Sequence, residues 1–113
     1  MQNFEGKILI NGSWQTPDSG ETLPAIDPSD GSEFGRIARG SAVDIERAVL
    51  SAQNAMDGEW GKLIPAERGR LLQKLGALIL QHEDELTKME ARDVGKPLRQ
   101  AAVDVKACAR YFE

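Results

Sequence analysis

Residues 90–97 read Glu-Ala-Arg-Asp-Val-Gly-Lys-Pro, and this stretch decides how the rest of the chain divides. One helical apolar pattern runs into it and another leaves it a few residues later. Gly95 suits the C′ position that closes a helix in the left-handed conformation, and Pro97 suits the first position of the next one. The same turn carries an acid, Asp93, and a cation, Lys96.

Upstream of the turn, Leu72, Leu75, Ile79, His82, Leu86 and Met89 keep a three-to-four spacing, supported by Leu71 and Leu78. This pattern predicts a helix from Pro65, with Glu67 in its first turn, to about Arg92. That is long for a globular helix, and a break fits around Gln81–Glu85. Downstream, Leu98, Ala101, Ala102, Val105, Cys108, Ala109 and Phe112 predict a further helix with one apolar face. Its pattern continues through Tyr111-Phe112 to Glu113 with no glycine, proline or capping residue, which reads as a chain cut in mid-helix.

Before Pro65, Ile45, Ala48, Val49, Ala52, Ala55 and Met56 predict a helix that Ser41 caps, Asp44 favours through the helix dipole, and Asp57-Gly58 ends. Trp60, Leu63 and Ile64 form an apolar link expected to plug against the helices. Residues 1–40 change period from helical to alternating. Lys7–Ile10 and Ser13–Thr16 flank Asn11-Gly12, a hairpin signal because both residues accept positive φ. Pro17–Gly20 reads as a turn. Leu23–Ile26 and Phe34–Ala38 flank the turn signal Asp27-Pro28-Ser29-Asp30-Gly31. Two hairpins of this size are not stable alone and must lie on something larger. The expected fold class is therefore α/β, with hairpins over 1–40 and three helices over 41–113.

Composition excludes several function classes. Hydrophobic residues at 41% and charged residues at 28% are ordinary for a globular chain, and the low aromatic content implies an aliphatic core. A net charge of −4 with both signs interspersed argues against nucleic-acid binding. No apolar run approaches the roughly 18 residues that a membrane span needs. The start, MQNFEGKILING, lacks the basic and apolar regions of a secretory signal. A single cysteine excludes an internal disulfide and fits a reducing, bacterial-type cytoplasmic setting.

The chemistry-bearing residues are few. Cys108 lies deep in a helical pattern between Ala107 and Ala109, where a buried structural thiol is expected rather than a nucleophile. His82 has no neighbour at metal-ligand spacing, so a core or half-buried helix position is expected. Gly95-Lys96 fails as a phosphate loop: Glu90 stands where the loop needs its first glycine, and Pro97 where it needs Ser or Thr. Glu83-Asp84-Glu85 reads as a solvated helix face. The residues by themselves supply no catalytic machinery.

Taken together, ILINGSW, AIDPSDGSEFGRIARG, SAVDIERAVLSAQNAM, W-x-x-L-I-P-A-E-R-G-R-L-L and EARDVGKP resemble, in order and spacing, the N-terminal portion of the NAD(P)-dependent aldehyde dehydrogenase superfamily. The likeness runs from about Ile8 to Phe112. Asp27 departs from the family's commoner Asn, and Ala91 and Val94 depart from commoner Thr or Asn choices. The resemblance implies that 1–113 is the front of a Rossmann-like cofactor-binding domain. The whole enzyme would oxidise an aldehyde to an acid with NAD or NADP through a cysteine thiohemiacetal, and would work as a homodimer or homotetramer. The family's catalytic and cofactor-binding residues fall beyond the equivalent of Glu113, so none is assigned to this chain, and the partner of these residues is the remainder of the same polypeptide. One family site does map here. Backbone oxygens of Ala25 and Ile26 and the carboxylate of Asp93 match the positions that hold a structural K⁺ or Na⁺. A competing reading confines Asp93 to local turn hydrogen bonds. A different class of function, a standalone helical protein-interaction module, fits the amphipathic helices but leaves the hairpins nothing to lie on.

Overall fold

A computed structural model of the chain describes residues 6–113. The start of the segment read against a secretory signal, residues 1–5, lies outside the described residues. The chain falls into two units. The first takes the chain up to Ile26 together with Glu33–Lys62, and the second takes Asp27–Ser32 together with Leu63–Glu113.

In the first unit, β1 (Ile8–Ile10) pairs antiparallel with β2 (Ser13–Gln15), with Leu9 opposite Trp14. The two-residue connection is Asn11-Gly12, at φ 51° and 71°, as a tight hairpin of right-handed twist requires. β3 (Thr22–Ile26) pairs antiparallel with β4 (Glu33–Ala38), and the register shifts between Ala25 and Ile26. The two hairpins are separate sheets, joined by the Gly6 N–H donating to the Arg36 carbonyl at 3.0 Å.

α1 (Ala42–Asp57) follows, then the one-turn α2 (Glu59–Lys62), which holds the half-buried Trp60. Ser41 caps α1 in a full capping box with Asp44. Asp44 does more than favour the dipole. It is 2% exposed, and its two carboxylate oxygens each accept from the Asp18 N–H at 3.1 Å. They also accept from the Ser41 N–H at 2.8 Å and the Ser41 hydroxyl at 3.0 Å, with Arg47 paired at 3.4 Å. The helix start is thereby tied to the Pro17–Gly20 turn, which closes with Gly20 N–H on the Pro17 carbonyl and buries the Pro17 ring. These donors, led by the Ser41 backbone N–H, hold the Asp44 carboxyl below its ordinary pKa against the opposing effect of burial.

The second unit contains α3 (Pro65–Gln81), α4 (Glu83–Val94) and α5 (Leu98–Arg110). Pro65 stands at the first helical position, and the Glu67 carboxylate accepts from the Ile64 N–H at 3.1 Å. The long pattern from Pro65 to Arg92 is two helices, broken at His82 inside the Gln81–Glu85 window where a break fits. Three acids, Glu83, Asp84 and Glu85, open α4, where anionic side chains meet the exposed N–H groups of a new helix start. The break therefore falls where the dipole of a fresh helix is best served. With α2 also helical, the three expected helices become five among the described residues.

α5 packs against both α3 and α4. Ala101, Val105 and Ala109, spaced by four, are its buried stripe. Gly76 of α3 lets the helices close. A Cβ there would lie 2.8 Å from the Ala109 carbonyl oxygen and 3.6 Å from the Phe112 Cβ. One expectation for α5 is corrected. Cys108 is exposed, because the stripe at 101, 105 and 109 turns position 108 away from the packed seam. The helical hydrogen bonding continues past Arg110, with Tyr111 donating to the Ala107 and Cys108 carbonyls, Phe112 to Ala109 and Glu113 to Arg110.

Both units leave much apolar surface uncovered. Ile45, Val49 and Met56 of α1, Ile64, and Leu71, Leu72, Leu75 and Leu78 of α3 are each at least 40% exposed. Among the described residues the buried hydrophobic ones are Ile10, Ala101, Val105 and Ala109, two of them merely alanines in size. Within this chain the link Trp60–Ile64 is half-buried at Trp60 and Leu63 and open at Ile64, a partial plug.

Candidate functional site

The Glu90–Pro97 stretch is the corner between α4 and α5. Gly95 ends α4 at φ 72°, its N–H donating to the Ala91 carbonyl at 2.9 Å, and a left-handed residue there frees the chain to reverse. Pro97 sits one position earlier than expected, as the N-cap, at φ −58° and ψ 137°. Its carbonyl accepts from Gln100 and Ala101, so proline opens α5 without giving up a donor that the helix needs.

Lys96, between these two, is a structural clamp. Its ammonium donates to Glu90 Oε1 and Asp104 Oδ2, both at 2.6 Å. Asp104 first, then Glu90, raise its pKa above the ordinary lysine value. A lysine so neutralised and so firmly protonated is a poor nucleophile or base. At the far end of the same helix pair, Lys106 meets Glu83 at 3.2 Å. Ion pairs at both ends thus hold α4 and α5 side by side in antiparallel order. The acid run at the start of α4 is accordingly more than a solvated face.

Arg92, in the last turn of α4, points its Nε at Asp27 Oδ2 from 3.3 Å. Asp27 opens the turn 27–32. Its Oδ1 accepts from the Ser29 N–H at 2.9 Å and the Ser29 hydroxyl at 2.6 Å, its N–H donates to the Ser32 carbonyl, and its carbonyl accepts from Gly31. Ser29, its hydroxyl ahead of its backbone N–H, is the main cause of a lowered Asp27 pKa, and Arg92 adds to it.

The residues assigned to a cation lie as follows. Ala25 is half-buried and Ile26 is 45% exposed, at the register shift that ends β3 in the first unit. Asp93 is exposed in the last turn of α4 in the second unit. Among the described residues, the Asp93 carboxylate makes no hydrogen bond or ion pair, and no group of three or more His, Cys, Asp and Glu side chains is arranged to hold a metal ion. What the sequence reading missed is the neighbouring pair, Asp27 with Arg92. The one available signal was the acid at position 27, read as the start of a turn and as a departure from Asn.

The two remaining chemistry-bearing residues offer no catalytic geometry. His82 is not a core position. Its side chain is 61% exposed at the α3–α4 break and faces Glu85 at 3.5 Å. Cys108 is exposed, without a neighbouring base among the described contacts. In the first unit, two open grooves flank β1 and β2 along α1. Leu9, Ile10, Asn11, Ala48, Ser51 and Asn54 line them, with Arg47 the sole charged residue at their edge. Arg47 is already engaged by Asp44 and Gln15, so neither groove offers the free cationic or N–H cradle that a dinucleotide diphosphate needs. No described helix is long and apolar enough to cross a membrane.

Comparison with known proteins places these features in a larger frame. Residues 14–113 match the model of the aldehyde dehydrogenase family. A mitochondrial benzaldehyde dehydrogenase of Antirrhinum majus is 40% identical over 108 residues, which are 94% of this chain and 20% of that protein. A crystal structure of a putative aldehyde dehydrogenase from Burkholderia cenocepacia superposes with a TM-score of 0.91 at 53% identity, over 93% of this chain and 22% of that one. PnpE, crystallised in complex with nicotinamide adenine dinucleotide, is 37% identical with a TM-score of 0.90, over 99% and 22% of the respective chains. The chain spans about a fifth of the length of these relatives.

Proposed function

Because the chain belongs to the aldehyde dehydrogenase family, we propose that it is the N-terminal portion of an enzyme that oxidises an aldehyde to a carboxylic acid with NAD⁺ or NADP⁺. The observation that carries the reading is the 53% identity to a family structure over 93% of this chain, at a TM-score of 0.91. In this reading a cysteine thiolate elsewhere in the polypeptide adds to the aldehyde, and water activated by a glutamate releases the acid. The dinucleotide, when bound, supplies the hydride acceptor. Residues 1–113 contribute no catalytic group and no cofactor contact. They form the front of the cofactor-binding domain, and their work is architectural.

The uncovered apolar residues of α1 and α3 support that division of labour. Leucines 71, 72, 75 and 78, 40–50% exposed, forgo roughly half of the ~1.5–3 kcal/mol that full burial of each would give, so they need a covering surface. The remainder of the same polypeptide is the proposed cover. The full-length enzyme is proposed to be a cytoplasmic homodimer or homotetramer. K⁺ or Na⁺ is proposed as a structural ion for Ala25, Ile26 and Asp93, supported by an Asp93 carboxylate that has no partner among the described residues.

The test is a coupled pair of measurements. The full-length protein should form reduced nicotinamide in the presence of an aldehyde, read by its absorbance. Residues 1–113 expressed alone should bind a hydrophobic dye and melt without cooperativity. A sharp two-state melt of the isolated segment as a monomer, or a full-length protein inert with aldehydes of every class, would overturn the reading. For the ion, Asp93→Ala in the full-length protein should abolish the rise of Tm with added K⁺. An unchanged rise sinks that assignment.

A further inference from the structure

The second unit gathers one segment from far upstream, the turn 27–32, and holds it at the end of α4. Two contacts do this. Arg92 reaches Asp27 at 3.3 Å, and Gly95 seats against Pro28 so closely that a Cβ on Gly95 would lie 2.7 Å from the proline Cγ. The first contact is electrostatic and the second steric.

We propose that Asp27 and Arg92 form a salt-sensitive latch, which holds the turn on the end of α4 at low ionic strength and lets it loosen when charge is screened. Three features of the geometry support this. The Asp27 carboxylate is oriented in advance, because its Oδ1 is fixed by the Ser29 N–H and hydroxyl and leaves Oδ2 to face Arg92. Only the arginine side chain must be ordered when the latch closes. The partners differ in exposure, 16% for Asp27 and 55% for Arg92, so one end is embedded while the other stands open to screening ions. Finally, the turn closes within itself through Asp27 N–H to Ser32 and Gly31 N–H to the Asp27 carbonyl, and Ser32 N–H donates to Asp30. It can therefore leave α4 as a formed turn instead of unravelling.

The strength of such a pair sets the size of the effect. Half-exposed ion pairs change an equilibrium by about threefold, and raising ionic strength from about 0.1 to 1 M shortens the screening length from ~10 to ~3 Å. Hydrogen exchange of the amides in 27–32, measured by mass spectrometry on the full-length protein, reads the latch directly. Choline chloride should speed exchange of this segment about threefold in the wild type. Asp27→Asn keeps an acceptor for Ser29 and removes the charge. It should exchange about threefold faster at low salt and respond less to choline chloride than the wild type, the charge of Asp30 still acting on Arg92. Arg92→Ala should behave alike, and it serves as the test if Asp27→Asn does not fold.

Equal exchange of wild type and both variants at low salt would overturn the latch, as would a variant that keeps the wild-type salt response. KCl at equal strength separates the latch from ion binding. Choline chloride screens charge without supplying an ion for the Ala25, Ile26 and Asp93 position, so acceleration in choline chloride reads the latch and protection specific to K⁺ reads the ion.

Discussion

The start of α1 and the corner between α4 and α5 both join a helix to its neighbours through carboxylates, yet they are built on different physics. At the first, Asp44 is buried and collects donors that are mostly backbone or immediately local, from Asp18 and Ser41. At the second, Lys96 is 27% exposed, and its partners Glu90 and Asp104 are 37% and 45% exposed. A buried carboxylate with fixed donors cannot be rearranged without leaving those donors unsatisfied. Exposed ion pairs can be remade with water or another charge at little loss. The α4–α5 corner is consequently shaped by Gly95 and Pro97, and its charges only steady it.

Removal of Asp44 should therefore break the comparison hardest. Asp44→Ala in the full-length protein should lower Tm by several degrees, the largest drop among these variants, because the Asp18 and Ser41 donors lose their acceptor together. Next comes Gly95→Ala. A left-handed alanine, pressed against Pro28, should cost about 2 kcal/mol in chemical denaturation, well above any charge change at the same corner.

The acid limb of the stability curve sharpens the contrast further. The folded pKa of Asp44 is lowered, so its contribution is present above the unfolded value near 3.8 and lost as pH falls through the folded value. Asp44→Asn should flatten the fall in Tm below about pH 4 relative to the wild type. Lys96 has the opposite sign. Its raised pKa keeps its contribution complete below the ordinary 10.5, and the contribution fades only as pH climbs past that value. Lys96→Met should accordingly give the smallest Tm change of the series, constant from pH 6 to 9 and reduced in high salt.

The same contrast explains what was legible in the sequence. Asn11-Gly12, Ser41 with Asp44, Pro65 and Gly95 all act on neighbours within a few residues, and each stands where its chemistry placed it. The order of hairpins and helices follows from them. What escaped is non-local. Asp44 grips an amide 26 residues away, and Arg92 meets Asp27 across 65 residues. Periodicity could not tell which of two adjacent apolar positions on α5 meets α3, so Cys108 was expected inside and is found outside. The α3–α4 break lay within an unbroken apolar spacing, and only the acid run marked the place. For the candidate site, the positions Ala25, Ile26 and Asp93 were nameable, but the ion pair beside them depends on tertiary placement.

The 65-residue separation of Asp27 and Arg92 also carries a consequence for biosynthesis. The turn leaves the ribosome long before its helix partner. At roughly 5–20 residues per second, several seconds pass between the two. In that interval the β3–β4 hairpin can zip by local contacts, but its tip has nothing to dock on. Closing so wide a loop costs entropy before any contact returns it. Completion of the tip must therefore wait for α4, which makes that docking a late event in the life of the nascent chain.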